Sequence, residues 1–376
     1  MPDFNTYSTA ELKRRDEMAT RLRHGSEAMT VALSAGTVQD IPFQKKLAPV
    51  PKPMAKTPDP NASLPRADVI AMMDTSAEGH AMADVLTPGH GLETWYDYAK
   101  NYQSHYRPLI GPRGPSNYSH RLGSYFPVEI NGLKVLVYKS ELHMHEDAKK
   151  LKDGSMSLPI KDMFAQLIEE AKPKVFLTTG TSGGVYCSMH LGDVAVSRAA
   201  RFTCFKDFKD APFNHETFTS DWTIPQKYSA AAHELMQKYA PHLTGKNVPK
   251  GTPPDPKCAC SSAVYPVDIH YDGENGIPKF HPILTTDIFE YGTSKNNLDK
   301  LGMAVEMDDA CLGLSVKENK LKVKWACVRN LSDPTINGDL DTKTQENCAE
   351  YWYVKFGYWT TVMSALTTWG IIAGMA

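Results

Sequence analysis

"KVFLTTGTSGGVYCSMHLGDVAVS", Lys174 to Ser197, is the stretch on which the reading of this chain turns. Val175 to Thr179 is an apolar, partly β-branched run of strand length, and Gly180, Gly183 and Gly184 follow closely behind it. Glycines permit backbone conformations and close approaches that a Cβ would forbid. The pattern predicts a buried strand whose tip bends tightly and cradles something small.

Outward from this stretch, strand and helix signals alternate. Strands are expected over Val69 to Met73, Leu133 to Tyr138, Val194 to Ser197, Ile283 to Ile288 and Lys324 to Leu331. Helices are expected over Ser76 to Leu86, over Pro159 to Ala171 with Ile160, Phe164, Leu167 and Ala171 along one face, and from Val305 to Val316. Such alternation argues for an α/β domain with a central mixed sheet, and in such folds sites gather at strand ends.

Two regions stand apart from the pattern. Residues 8 to 35 have helical composition with Ser8 or Thr9 as a candidate cap, and the proline-rich run from Ile41 to Pro65 reads as a linker or an arm over a neighbour. The division expected is therefore an N-terminal helix and arm over 1–65 and a catalytic body over 66–376, with an enlarged, proline-dotted middle region at about 205–281. Phe356 to Ala376 carries no charge over 21 residues. That is long enough for a membrane anchor, but its scattered threonines favour a helix buried against the sheet.

Composition narrows the function classes. A net charge of −2 gives no basic surface of the kind that nucleic-acid backbones require, so a small-molecule substrate is expected, with neither nucleic acid nor membrane as a partner. Seven cysteines, an odd number, and an N-terminus without the apolar core of a secretory signal point to a reducing, cytoplasmic setting. Cys258 and Cys260 are too closely spaced for a zinc knuckle.

Three strand tips carry candidate chemistry: Thr178 to Gly184, Met303 to Asp308, and Val328 to Pro334. Each alone reads as an ordinary turn or cap. In order and spacing, with Leu191-Gly192-Asp193-Val194 after the glycines and Thr286-Asp287-Ile288-Phe289 before the second tip, the chain from about Arg66 to Ala376 resembles the nucleoside phosphorylase and nucleosidase superfamily. The resemblance implies a three-layer α/β/α fold and a homo-oligomer. It implies cleavage of an N-glycosidic bond, which needs negative charge near an oxocarbenium-like sugar and a proton donor near the leaving nitrogen. It assigns Asp333 as general acid, Glu306 and Met307 to the sugar, Phe289 to the face of the base, and Thr181, Gly183 and Gly184 to the sugar or anion side.

The nucleophile follows from what is missing. Several phosphorylase branches carry an arginine just before the glycine turn, where this chain has Thr178, and their Gly-Asp-Pro after the first strand is replaced by Met73-Asp74-Thr75-Ser76-Ala77-Glu78. That stretch is similar to the hydrolytic nucleosidases, so Glu78 is the candidate base and water the favoured nucleophile. Phosphate stays open as a co-substrate if Arg113, Arg121, Arg198, Arg201 or an arginine from a second subunit reaches the site; no other cofactor is implied. Asp308 replaces a glutamate of the family pattern and shortens its reach. That departure keeps two alternatives open: a scaffold turned to cyclisation or isomerisation of a non-nucleoside in specialised metabolism, and a non-catalytic binding or storage relative. His143 and His145 share a face without a second cluster to complete a metal shell, so no metal is expected and His143 is read as a hydrogen-bonding group near the site.

Overall fold

The computed structural model describes residues 7–15, 17–18, 38, 40–186, 189–243, 266–291, 297–334 and 341–376. Thirteen strands among them form one hydrogen-bonded sheet. In chain order they are β1 (Val50–Pro51), β2 (Val69–Met73), β3 (Tyr96–Tyr98), β4 (Gly123–Ile130), β5 (Leu133–Ser140), β6 (Val175–Gly184) and β7 (Val194–Ser197). They continue with β8 (Ala199–Phe202), β9 (Thr217–Thr219), β10 (Ile269–Tyr271), β11 (Ile283–Thr285), β12 (Ala304–Glu306) and β13 (Lys324–Pro334).

The sheet is mixed. β2 pairs in parallel with β5 and β6, and β6 with β13, while β4–β5, β7–β13 and β6–β12 are antiparallel. β7 and β8 are one run interrupted at Arg198, and they divide their pairing: β7 with β13, β8 with β11. Because β11 pairs with β12 and β12 with the end of β6, the strands close into a ring at that end. β6 thus pairs with β13 along one edge, and on the other with β2 at its start and β12 at its end.

Successive side chains of a strand face opposite ways, so a strand buried on both faces must be apolar throughout. Val69, Ala71, Val175, Leu177, Ala326 and Val328 face one core, with Val85 and Leu86 of the helix Ser76–Leu86 and Met363 and Leu366 of the closing helix Thr342–Ala373. Ile70, Met72, Phe176, Trp325 and Cys327 face the other, with Ile160, Phe164 and Leu167 of the helix Pro159–Ala171 and Leu312 of the helix Asp309–Glu318. Helices on both faces of a mixed sheet make the α/β class.

Three expectations change. The glycines do not form a turn after the strand; β6 continues through Gly184. A Cβ on Gly180 would lie 2.6 Å from Glu78 Oε1 and 2.9 Å from Arg329 Nη1, so glycine is needed there because two charged side chains cross the strand. The helix expected from Val305 starts instead as β12, squeezed between β6 and β11, and becomes helical only at Asp309. The proline-rich arm lies on its own chain, where Val50 and Pro51 pair with β4 and the Leu47 carbonyl accepts from Trp369 Nε1 at 2.7 Å.

The cap at the N-terminus is Ser8, whose hydroxyl accepts from the Glu11 amide at 3.2 Å. No helix among the described residues is long and apolar enough to cross a membrane, and the uncharged segment after Phe356 lies in the buried half of the closing helix. Cys204, Cys311 and Cys327 are buried free thiols. Cys258 and Cys260 lie outside the described residues.

Trp369 is 1% exposed and touches Phe43 of the arm at a ring separation of 4.7 Å, joining arm, helix and core. Trp369→Ala is expected to cost about 3–5 kcal/mol in denaturant unfolding. A loss under about 1 kcal/mol would show that this helix is not packed as described.

Candidate active site

Two glycines of β6 organise the polar residues. In parallel register Arg329 of β13 lies opposite Gly180, and on the other edge of β6 the chain leaves β2 at Met73 and reaches Asp74 at the same level. Arg329 is almost fully buried and forms a two-point ion pair with Asp309, one contact between Nε and Oδ2 at 2.9 Å and the other between Nη2 and Oδ1. The same Nη2 lies 3.4 Å from Asp74 Oδ2 and 3.5 Å from Glu306 Oε2. Burial alone would lower the guanidinium's proton affinity, but Asp309 and Glu306 more than offset it, and Arg329 stays cationic.

Glu78 crosses beneath this group. Its Oε1 accepts from the Thr181 amide and hydroxyl, both at 2.6 Å, and its Oε2 from the Asp74 and Thr75 amides at 3.0 and 2.8 Å. The last of these completes a capping box with Thr75 at the start of the helix Ser76–Leu86. A carboxylate offers about four lone-pair positions, and this one has four donors. Asp74 is the contrast: it is 5% exposed, and its Oδ1 has no partner among the described residues. Burial first, and then Asp308, push its carboxyl well above the usual range against the pull of Arg329.

The second organising position is Gly183. On one edge it pairs with Val305 of β12, and on the other with Asp333 of β13, across a bulge at Ser332. A bulge re-aims the strand that carries it, and here it sets Asp333 opposite the glycine. Glu306, next to Val305, and Asp333 therefore flank one backbone position. This is the physical reason that residues far apart in the chain meet.

Their environments differ. Glu306 accepts from the Thr285 hydroxyl, from the Asp308 amide at 2.5 Å and from the Asp309 amide at 3.0 Å, closing the start of the helix Asp309–Glu318. Burial and the neighbouring Asp309 push it up to about 8, with Arg329 opposing. Asp308 accepts from the Met144 amide at 2.7 Å and faces His143 Nδ1 at 3.2 Å. Asp333 has no charged neighbour acting on it among the described residues. Its Oδ1 accepts from the Ser332 hydroxyl at 2.8 Å, its Oδ2 has no partner among those residues, and burial pushes the carboxyl up to about 7 against that single hydrogen bond.

One cavity of about 740 Å³, its mouth included, joins these groups. Asp333, Glu78, Thr181, Gly183, Phe289, Glu306, Met307, Asp308 and His143 all line it. Gly184 does not line it; it lies against Leu331 and pairs with Ala304. Arg113, Arg121, Arg198 and Arg201 are not among its lining residues, and Arg121 and Arg198 are paired with Glu141 and Asp272 elsewhere.

Sequence reasoning missed Asp74, Arg329 and Tyr353, which also line the cavity. Arg329 left a usable signal, an arginine inside an otherwise apolar strand. Asp74 stood in the stretch Met73 to Glu78, where Glu78 alone was given a role. Tyr353 left none, since nothing local in the closing helix marks one aromatic among many. It meets Phe289 edge to face at 6.4 Å, and the Phe289 carbonyl in turn accepts from Arg15 Nη1 at 3.0 Å, so the N-terminal segment braces this wall.

What fold and cavity define is an α/β protein with a buried, carboxylate-rich pocket at its strand tips. No family model and no curated protein matches the chain. Among solved structures, it is similar to the 5′-methylthioadenosine/S-adenosylhomocysteine nucleosidase of Neisseria meningitidis in complex with methylthio-immucillin-A, at 13% identity over 81% of this chain and 99% of that one, TM-score 0.41. It is similar to the corresponding nucleosidase of Helicobacter pylori with butyl-thio-DADMe-Immucillin-A at 11% identity over 81% and 98%, TM-score 0.44. Futalosine hydrolase of Helicobacter pylori follows at 11% over 81% and 97%, TM-score 0.44. These likenesses are remote, and the chemistry has to stand on the cavity itself.

Arg329 carries the test of this geometry. Arg329→Ala would leave Asp309, Asp74 and Glu306 buried without their cation, and the expected loss is about 3–5 kcal/mol in equilibrium unfolding. A loss below about 1 kcal/mol would show that the three carboxylates do not depend on it.

Proposed function

We propose that the cavity hydrolyses the N-glycosidic bond of a purine-type nucleoside. The observation that carries this reading is Asp333, a buried carboxyl with one oxygen unpartnered among the described residues, held near 7 by its surroundings. A group of that kind keeps a proton at neutral pH and can hand it to a leaving nitrogen. Phe289, Ile288 and Tyr353 offer apolar faces on the same cavity, suited to a flat base. Asp308 and the carboxyl oxygens of Asp74 and Glu306 line the same cavity and present an electron-rich wall to an oxocarbenium-like sugar.

Water is favoured over phosphate on electrostatic grounds. Arg329 is the one lysine or arginine among the described lining residues, and Asp309 already grips it at two points. A phosphate dianion would enter a pocket whose cation is spent and whose remaining ionisable groups are largely carboxyls.

One observation favours a second reading. Glu306 and Asp308 are both engaged by their own chain, through the helix start, Met144 and His143, which leaves less for ribose hydroxyls to find. A scaffold that folds a flat non-nucleoside into a cyclised or isomerised product would need Asp333 but not a sugar grip.

The test is incubation of the full chain with adenosine, 5′-methylthioadenosine and inosine, with and without phosphate, reading the free base by chromatography. Release that is indifferent to phosphate is expected, with Asp333→Asn lowering kcat by about 10²- to 10⁴-fold. Because Asp333 acts as an acid, its contribution is present below about 7 and is lost as pH rises through that value. Base release from none of the three nucleosides, or only with phosphate, would overturn the hydrolytic reading.

A further inference from the structure

The nucleosidase reading needs a group to take a proton from the attacking water, and the sequence points to Glu78. The geometry speaks against it. Each oxygen of Glu78 already accepts two hydrogen bonds from the chain, at 2.6 to 3.0 Å, and these bonds tie the start of the helix Ser76–Leu86 to Thr181 of β6. To receive a water proton, Glu78 would have to release a cap or its hold on the strand. It is built as a strut.

Four residues earlier, Asp74 has what Glu78 lacks. It lines the same cavity, is 5% exposed, and keeps Oδ1 without a partner among the described residues. Its other oxygen is oriented by Arg329 Nη2 at 3.4 Å, and Arg329 is itself fixed by Asp309, so the carboxylate is held while one oxygen stays available. A buried carboxylate oxygen left unpaired is costly unless something enters the cavity to satisfy it. Burial first, and then Asp308, Glu78 and Asp309, raise its proton affinity well above the ordinary value, and Arg329 lowers it. Asp74 and Asp333 stand on opposite edges of β6, one level with Gly180 and the other with Gly183, so a ligand lying along the strand end is offered one unpaired carboxyl oxygen near each end.

We propose that Asp74, and not Glu78, is the catalytic base that holds and deprotonates the attacking water. The proposal depends on the hydrolytic nucleosidase reading. In the step, the water oxygen bonds to the anomeric carbon, and its proton passes to Asp74 Oδ1. The bond from that carbon to the base nitrogen breaks with its electron pair on the base, and the proton of Asp333 completes the free base. One water is consumed, and the two carboxyls exchange protonation states for solvent to restore.

The experiment is the pH profile of kcat for base release from adenosine or 5′-methylthioadenosine, using the full chain and the Asp74→Asn, Asp74→Glu and Glu78→Gln variants, each checked by thermal melting. Wild type is expected to give a bell, because the productive form has Asp74 ionised and Asp333 protonated. Asp74→Asn should lower kcat about 10²- to 10⁴-fold and abolish the rising limb while the falling limb stays. Glu78→Gln should lower the melting temperature and keep both limbs. If Asp74→Asn does not fold, Asp74→Glu decides: a displaced rising limb supports the proposal, and an unmoved one overturns it. A rising limb that survives in Asp74→Asn, or disappears in Glu78→Gln, overturns the assignment of Asp74 alone. A wild-type chain that releases no base from either nucleoside overturns the nucleosidase reading, and this proposal with it.

Discussion

The guanidinium of Arg329 is the interaction on which the rest of this structure depends. It reaches the carboxylates of Asp309, Asp74 and Glu306 from a fully buried position, and these belong to a helix start, the end of β2 and the end of β12. Carboxylates brought together in a low-dielectric interior repel one another and resist desolvation, and a single fixed cation is what lets them share the space. Glycine at 180 follows from the same requirement, because any side chain there would collide with Arg329 and Glu78. The sheet topology is thus coupled to charge, and the acidic pole exists because β13 delivers one arginine to it.

From that constraint the cavity acquires two unlike ends. Near Gly180 the ionisable groups are dense and mutually compensated, yet Asp74 keeps an oxygen unpaired among the described residues. Near Gly183, Asp333 has no charged neighbour acting on it among the described residues, so its behaviour there is set by burial with one opposing hydrogen bond from Ser332. Environments that separate the behaviour of two carboxyls are how a single site arranges a proton acceptor and a proton donor. The bulge at Ser332 and the antiparallel contact of β12 with β6 are the structural means of placing both on one cavity.

Much of the fold was legible because it depends on local pattern. β2, the helices Ser76–Leu86 and Pro159–Ala171, β7 and the buried closing helix announced themselves through apolar runs and helical periodicity. The tips that carry Thr181, Glu306 and Asp333 were recognisable through their order in the chain. What local pattern could not show was partnership. Whether a carboxylate is free or engaged depends on backbone amides delivered by other elements, so the letters around Glu78 and Asp74 do not show that four donors meet the first and that one oxygen of the second has no partner among the described residues. The extension of β6 through its glycines and the short strand β12 are likewise products of pairing between segments far apart, and both were misread as a turn and a helix start. The proline-rich arm reads as a linker or an arm over a neighbour, because the sheet edge that receives Val50 and Pro51 is not visible in its own letters.

The most direct measurement is a crystal structure of the full chain soaked with adenine, the product that the proposed cleavage would leave behind. The account requires the ring to lie against Phe289 with a ring nitrogen about 3 Å from Asp333 Oδ2, the ordinary hydrogen-bond distance. Adenine seated outside the cavity, or inside it with no contact to Asp333, would contradict the account.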